Sequence, residues 1–262
     1  MKVGASALPA AEPDAPATVA DTAKVVLWGL VFWGGEQLAA AVFERNATAM
    51  AAAQAAVAEW GAGRMGIAWS DRRGPPPTWA AIGHRAAIGA GLGFGSAAAV
   101  VGVALATRAA VVVPGEPSLG VLIVGLFVAA LGAVRDELLL RGVVIRATRL
   151  LPFGATLVAC GLAAAAARFG AEGRVNFMTA LEALRGVALG AIWLRDRGAW
   201  MACAANTAWT WTTGPVTGGG LLDVRFAEAA GTGPAGFVVL AIAAAASSVW
   251  AMRVRSPSRP AR

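Results

Sequence analysis

Long, continuous apolar blocks constrain this 262-residue chain more than any other feature of its sequence. Hydrophobic residues make up 58% of the chain and charged residues 14%. The apolar positions run together instead of recurring at amphipathic spacing. As helices, such blocks are long enough to cross a hydrocarbon core about 30 Å thick. They lie at 24–43, 86–113, 119–140, 155–169, 177–194, 199–213 and 235–252.

These blocks predict an all-α fold, a polytopic transmembrane helix bundle of seven or eight helices. The uncertain segment is 47–60, which is short and carries Gln54 and Glu59, so it is either an eighth span or an interfacial helix. Strands are not expected. Outer-membrane barrels show alternating segments of about ten residues, whereas these blocks are continuous and rich in Ala, Leu and Gly.

The segments around the bundle follow from composition. Residues 1–23 are rich in Ala and Pro with scattered acids, which is typical of a disordered tail and not of a cleaved signal peptide. The bundle then occupies 24–252, and 253–262 forms a basic tail. The Gly- and Thr-rich stretch 214–236 is expected to be a long loop between the last two spans.

The formal charge of +7 does not indicate nucleic-acid binding, because the arginines are spread between the apolar blocks instead of forming one stripe. Most of them cluster on alternate loops, as the positive-inside rule requires of one cytoplasmic face. We therefore expect an integral protein of the bacterial inner membrane with a cytoplasmic C-terminus. The lipid bilayer is its expected surrounding.

Ionisable residues lie at the end of the third apolar block: Arg135, Asp136 and Glu137 within it, and Arg141 one position beyond it. Charged groups at such depth cost several kcal/mol unless they are paired or face a wet cavity. On a helix, residues 137 and 141 share a face, so the guanidinium can hold the carboxylate. A carboxylate held in this way can serve as a general base if a cavity admits water. The alternative is a salt bridge that only pins two helices.

Two sets of glycines lie inside apolar blocks and favour close helix packing. The run from Gly89 to Gly95 has no preceding strand, so it is not typical of a nucleotide-binding loop. Gly186 and Gly190 form a second small-residue pair that would let two helices approach near the charged residues. Neither set indicates a cofactor.

The composition does not indicate a metal site or a Ser-His-Asp catalytic triad. The single histidine, His84, lies at the edge of a span and cannot complete a Ser-His-Asp set or a His-Glu-x-x-His zinc site. Cys160 and Cys203 lack companions at metal-binding spacing, so structural packing is their expected role. We expect no cofactor and no metal.

The region from Leu119 to Trp211 resembles the core of the CPBP intramembrane proteases, which include the CAAX prenyl endopeptidases and the lysostaphin resistance protein A-like proteins. That family carries Glu-Glu-x-x-x-Arg on a membrane helix, then Phe-x-x-x-His, a Gly-rich helix and His-x-x-x-Asn. Here the first motif reads Asp136-Glu137-x-x-x-Arg141-Gly142, with Asp in place of the first Glu. The second aligns on 169–173 and the last on 202–206.

The resemblance implies a catalytic site in which Glu137 activates water, Arg141 orients it and Asn206 contacts water or the scissile carbonyl. Asp136 belongs to the same motif. The substrate would be a membrane protein or lipidated peptide, cut near the membrane surface during prenyl-protein processing or removal of a C-terminal sorting segment. A branch similar to the myxosortases is a further option.

The chain departs from the family at both histidines, where it has Gly173 and Ala202. Losing one oxyanion donor costs on the order of a hundredfold or more in rate. Glu172, next to the first position, or Arg185 would have to compensate. Two alternatives to an active endopeptidase therefore remain: a catalytically inactive family member that binds a membrane partner as a scaffold, and a transporter or proton relay built on the same buried charges.

Overall fold

The computed structural model describes residues 18–70, 77–116, 118–226 and 233–255, and these residues are predominantly helical. Eight helices occur within these ranges, and a small antiparallel pair of strands, β1 (Ala110–Pro114) and β2 (Leu222–Phe226), joins them. The helices are α1 (Val19–Val42), α2 (Ala47–Met65), α3 (Trp79–Ala106), α4 (Leu119–Ala147), α5 (Phe153–Glu172), α6 (Phe177–Asp196), α7 (Trp200–Trp211) and α8 (Gly233–Arg255).

The expected all-α architecture is confirmed, and four of the described helices are long and apolar enough to cross a membrane: α1, α3, α4 and α5. Their outer faces carry large exposed apolar side chains, as lipid contact requires. α7 continues without a break as a π-helical segment, Thr212–Val216, and is not among these four. The structure is thus typical of an integral membrane protein, while seven or eight spans stay a prediction.

The two strands contradict the expectation of a strand-free chain. The block 86–113 is not one helix, because α3 ends at Ala106 and the residues after Arg108, which has a left-handed φ of 57°, enter β1. The expected loop 214–236 likewise contains β2. β-Branched residues in 110–114 find cross-strand partners more than a hundred positions away, which local apolar runs do not reveal.

The first helix begins earlier than the sequence indicates. Thr18 accepts a hydrogen bond from the backbone N–H of Asp21, and the Asp21 carboxylate accepts one from the backbone N–H of Thr18. This capping box starts α1 at Val19, so residues 18–23 are not part of a disordered tail. The remainder of that predicted tail, and residues 256–262 of the basic tail, lie outside the described ranges.

Helix packing relies on small residues, as expected. A Cβ atom at Gly89 or Gly93 of α3 would come within 2.1 or 2.3 Å of backbone oxygens of α7. At Gly186 of α6 it would come within 2.6 Å of the Cys160 carbonyl oxygen on α5, and at Gly190 within 3.0 Å of the Cys160 side chain. These close approaches join α3 to α7 and α5 to α6.

Candidate active site

A seven-residue π-helical segment inside α4, Asp136–Gly142, positions the charged motif. Such segments, with i→i+5 hydrogen bonds, recur at functional sites because they re-aim side chains within an otherwise regular helix. Within the segment, Glu137 and Arg141 are buried at the junction with α7, and Gly142 packs against Ile67. The sequence predicted an uninterrupted α-helix here and did not reveal this segment.

Three polar side chains meet in the interior of the bundle. Arg141 donates from Nη1 to Oε1 of Glu137, and Asn206 of α7 donates from Nδ2 to the same oxygen at 3.1 Å. Glu137 is 0% exposed, and Arg141 and Asn206 are each 1% exposed. The predicted shared face of residues 137 and 141 is therefore present. The structure also brings Asn206 to the carboxylate across 69 residues of chain.

Two polar atoms of this cluster have no hydrogen-bond partner among the described residues. Oε2 of Glu137 and Nε of Arg141 are buried and have no hydrogen-bond partner in the described part of the chain. A buried polar atom without a partner costs about 1–3 kcal/mol, and an ordered water or a ligand group is its usual remedy. One carboxylate oxygen is thus held in place by two donors while the other is left to accept a proton or a hydrogen bond.

The two positions at which the CPBP proteases carry histidine have different surroundings in this chain. Ala202 is fully buried within the hydrophobic cluster around Leu138 and Leu189, so no polar side chain replaces an imidazole there. Gly173 ends α5 in the left-handed conformation, with φ of 69°, and a Cβ there would meet nothing within 4 Å. Position 202 is closed and apolar, whereas position 173 is open.

Asp136 does not join the cluster, although it precedes Glu137 in sequence. Its Oδ1 accepts hydrogen bonds from Nε and Nη2 of Arg135 at 2.9 and 2.6 Å. Arg135 also donates from Nη1 to Oε1 of Gln54 on α2 at 3.1 Å. The motif helix therefore presents two charged faces, one toward α7 and one toward α2. The expectation that Asp136 shares the site of Glu137 is not met by these bonds.

Glu172 lies at the C-terminal end of α5 and forms a cluster of its own. Its carboxylate pairs with Arg168 one turn earlier and accepts a hydrogen bond from Nδ2 of Asn176 at 2.6 Å. Asn176 in turn caps α6 through the backbone N–H of Thr179. These contacts join α5 to α6, and they hold the Glu172 carboxylate in a cluster separate from that of Glu137.

Arg185, the other residue expected to compensate for the absent histidines, pairs through Nη2 with Oε2 of Glu182 at 2.8 Å. It also lines a cavity of about 220 Å³ between α3, α6, α7 and α8. Ala205 of α7, the neighbour of Asn206, lines the same cavity, whereas neither Glu137 nor Asn206 does so. The cavity and the buried carboxylate are therefore separated by Arg185 and α7.

Several neighbours of the site escaped sequence analysis. Oγ1 of Thr210, one turn after Asn206, lies 3.5 Å from its Oδ1. The thiols of Cys160 and Cys203 are free and fall within the electrostatic influence of Glu137 and Arg141. Only the i,i+4 spacing of 206 and 210 is a local signal, since the other contacts form between distant segments.

The donor set does not fit a catalytic metal. Among the described residues, no group of three His, Cys, Asp or Glu side chains lies together in a way that would hold a metal ion. Around Glu137 the neighbouring positions are instead occupied by a guanidinium and an amide. Any chemistry at this site would rest on the carboxylate itself.

Comparison with known proteins finds no match, whether to a protein-family model, to a curated protein or to a solved structure.

Proposed function

We propose that this protein is an intramembrane endopeptidase of the glutamic type, similar in chemistry to the CPBP proteases, in which Glu137 activates water. The supporting observation is the arrangement of its carboxylate: Arg141 and Asn206 hold one oxygen, and the second is buried without a partner. A general base needs this combination of fixed orientation and a free lone pair.

In the proposed reaction, Oε2 of Glu137 accepts a proton from water while the water oxygen attacks the scissile carbonyl carbon. The tetrahedral intermediate collapses, the carbon–nitrogen bond breaks, and Glu137 returns the proton to the leaving amine. Arg141 keeps the carboxylate oriented throughout. Asn206 orients Glu137 directly, which refines its expected role as a contact for water or for the substrate carbonyl.

Catalysis by this site requires that the junction of α4 and α7 open, because Glu137 is 0% exposed. The cavity beside Arg185 supplies the nearest space for an approaching chain. Movement of Arg185 away from Glu182 would let its guanidinium reach toward the carboxylate and toward a bound carbonyl oxygen. In this way Arg185 would supply the oxyanion donor that the absent histidines leave missing.

The setting proposed for this activity is the bacterial inner membrane, with the C-terminus in the cytoplasm. The proposed substrate is a membrane protein or a lipidated peptide, cut near the membrane surface. Four apolar helices long enough to span a bilayer support the membrane location. The alternating arginine clusters support the orientation.

A specific observation favours a second candidate, a non-catalytic membrane scaffold. Glu137, Arg141 and Asn206 are all closed off from solvent, and Ala202 adds only apolar surface beside them. A buried ion pair of this kind also serves to fix which helices dock together. In that case the cluster holds α4 against α7 and the protein binds a partner without cutting it.

Glu137→Gln separates the two candidates. The full-length protein in lipid nanodiscs is incubated with a quenched-fluorescent peptide that carries a farnesylated cysteine, and in parallel with the same peptide lacking the lipid. We expect cleavage by the wild type and by Glu172→Gln, a matched control outside the cluster, and loss of cleavage by at least a hundredfold in Glu137→Gln.

Folding is checked by the thermal unfolding midpoint of each variant. A folded Glu137→Gln protein without activity supports the peptidase. If Glu137→Gln cleaves both peptides at the wild-type rate, the general-base role is wrong. The scaffold function is favoured if the folded wild type cleaves neither peptide and the sole effect of Glu137→Gln is a lower unfolding midpoint.

A further inference from the structure

A second polar cluster, buried at its α1 and α2 residues and part-buried at its α4 residues, lies on the opposite face of the motif helix and is not used by the proposed reaction. It joins Glu36 of α1, Gln54 of α2, and Arg135 and Asp136 of α4. Nε2 of Gln54 donates to the backbone carbonyl of Glu36 at 3.4 Å, and Oε1 of Gln54 accepts from Arg135 at 3.1 Å. One amide thus links three helices.

One oxygen of Glu36 in this cluster lacks a hydrogen-bond partner. Glu36 is 7% exposed, and Oε1 is buried without a hydrogen bond within the described residues. On the neighbouring turns of α1 and α2, Phe32 and Ala58 belong to one buried apolar cluster. An ionised carboxylate in such a place costs several kcal/mol unless something compensates it.

The charges around Glu36 do not balance. The charged groups that act on it are Arg135 and Asp136, both from α4, while α2 contributes only the neutral Gln54. Asp136 already takes two of the donors of Arg135, and Gln54 takes a third. Among the described residues Arg135 forms no ion pair or hydrogen bond with Glu36, so an ionised Glu36 carboxylate would carry a negative charge that no bound cation cancels.

We propose that Glu36 is a membrane-buried proton-binding site, filled by one proton from bulk water when Arg135 is bound to Asp136 and Gln54. The proton converts the carboxylate to the neutral acid and cancels this negative charge. Carboxylate and amide oxygens would also suit a metal cation, but Arg135 occupies the oxygens of Gln54 and Asp136 that such an ion would need.

Occupancy of this site is coupled to the motif helix. When the proton leaves, Glu36 competes with Asp136 for Arg135, which immediately precedes the π segment that holds Glu137. The docking of α1 and α2 on α4 then changes with pH. This inference does not depend on peptide cleavage, so the failure of either proposal leaves the other standing.

The test is a pH titration of the infrared carbonyl band of protonated carboxyl groups, recorded on the full chain in lipid nanodiscs. Every protein carries Glu137→Gln, so that the buried carboxylate beside Arg141 does not contribute to the band. We expect a band that disappears as pH rises, and its loss in Glu36→Gln. Glu44→Gln, at an exposed position of the same helical hairpin, should retain it.

Two further variants should shift the midpoint of this pH titration in opposite directions. Asp136→Asn removes the competing anion and frees Arg135 for Glu36, so the midpoint falls by about one pH unit or more. Arg135→Gln removes the cation, so the midpoint rises by a similar amount. A band that persists in Glu36→Gln, or a midpoint that both variants leave in place, overturns the proposal. A midpoint that moves when sodium replaces choline identifies a metal-cation site and overturns it as well.

Discussion

Asn206 of α7 donates a 3.1 Å hydrogen bond to the same oxygen of Glu137 that receives the guanidinium of Arg141. Oε1 of Glu137 therefore accepts one hydrogen bond from its own helix, α4, and one from α7. The second oxygen of the carboxylate has no partner among the residues described. The stability of the α4–α7 junction and any chemistry at Glu137 consequently depend on the same three side chains.

Arg141→Met should destabilise the protein strongly, because it leaves the buried Glu137 carboxylate without its cation. Breaking a buried ion pair from one side costs about 3–5 kcal/mol. The free energy of unfolding in mixed detergent measures the loss. The double variant Glu137→Gln/Arg141→Met should recover part of it, since no uncompensated charge remains. If the double variant is less stable than Arg141→Met, the two residues are not a coupled pair.

Asn206→Ala should cost about 1–3 kcal/mol in unfolding free energy, because Glu137 loses a buried donor. Asn206→Asp should cost more, since it places a second carboxylate beside the first. Thr210→Ala is the control, as its 3.5 Å contact with Asn206 is long and its own side chain is exposed. Equal effects of Asn206→Ala and Thr210→Ala would contradict the assigned hydrogen bond.

Alternate glycines of α3 should respond differently to alanine. Gly89→Ala and Gly93→Ala force a Cβ against backbone oxygens of α7 and should destabilise the fold by about 1–3 kcal/mol. Gly91→Ala and Gly95→Ala point into open space and should be neutral, or stabilising by about 0.5–1 kcal/mol through helix propensity. Thermal unfolding of the four variants checks this pattern. Similar midpoints for all four would rule out the close approach of α3 and α7.

Placing histidine at position 202 or at position 173 should have unequal consequences. Ala202→His introduces an imidazole into a fully buried apolar cluster, and overpacking alone costs about 1–3 kcal/mol before its unpaired nitrogens are counted. Gly173→His enters open space but must adopt a left-handed φ, at about 1–2 kcal/mol. Folded yield and unfolding midpoint distinguish them. An Ala202→His protein as stable as the wild type would reveal polar space beside Glu137.

Local patterns in the sequence were sufficient to predict the helices and the charged pair. Apolar blocks too long for anything but helices in lipid indicated the bundle, and the i,i+4 spacing of Glu137 and Arg141 indicated their contact. The glycines at 89–95 and at 186 and 190 correctly indicated close helix packing. In each case the physical cause acts within one or two helical turns, so it is visible along the chain.

Tertiary structure decided which of the polar residues meet. It separated Asp136 and Glu172 from Glu137, brought Asn206 to it, and paired Arg135 with Gln54 across 81 positions. It also paired β1 with β2 and left Oε1 of Glu36 buried without a hydrogen bond among the described residues. The direction in which a side chain points and the distance between remote segments depend on how whole helices pack. Local periodicity in the sequence does not predict either of them. The sequence by itself determined the apolar helices, and their packing decided the polar clusters between them.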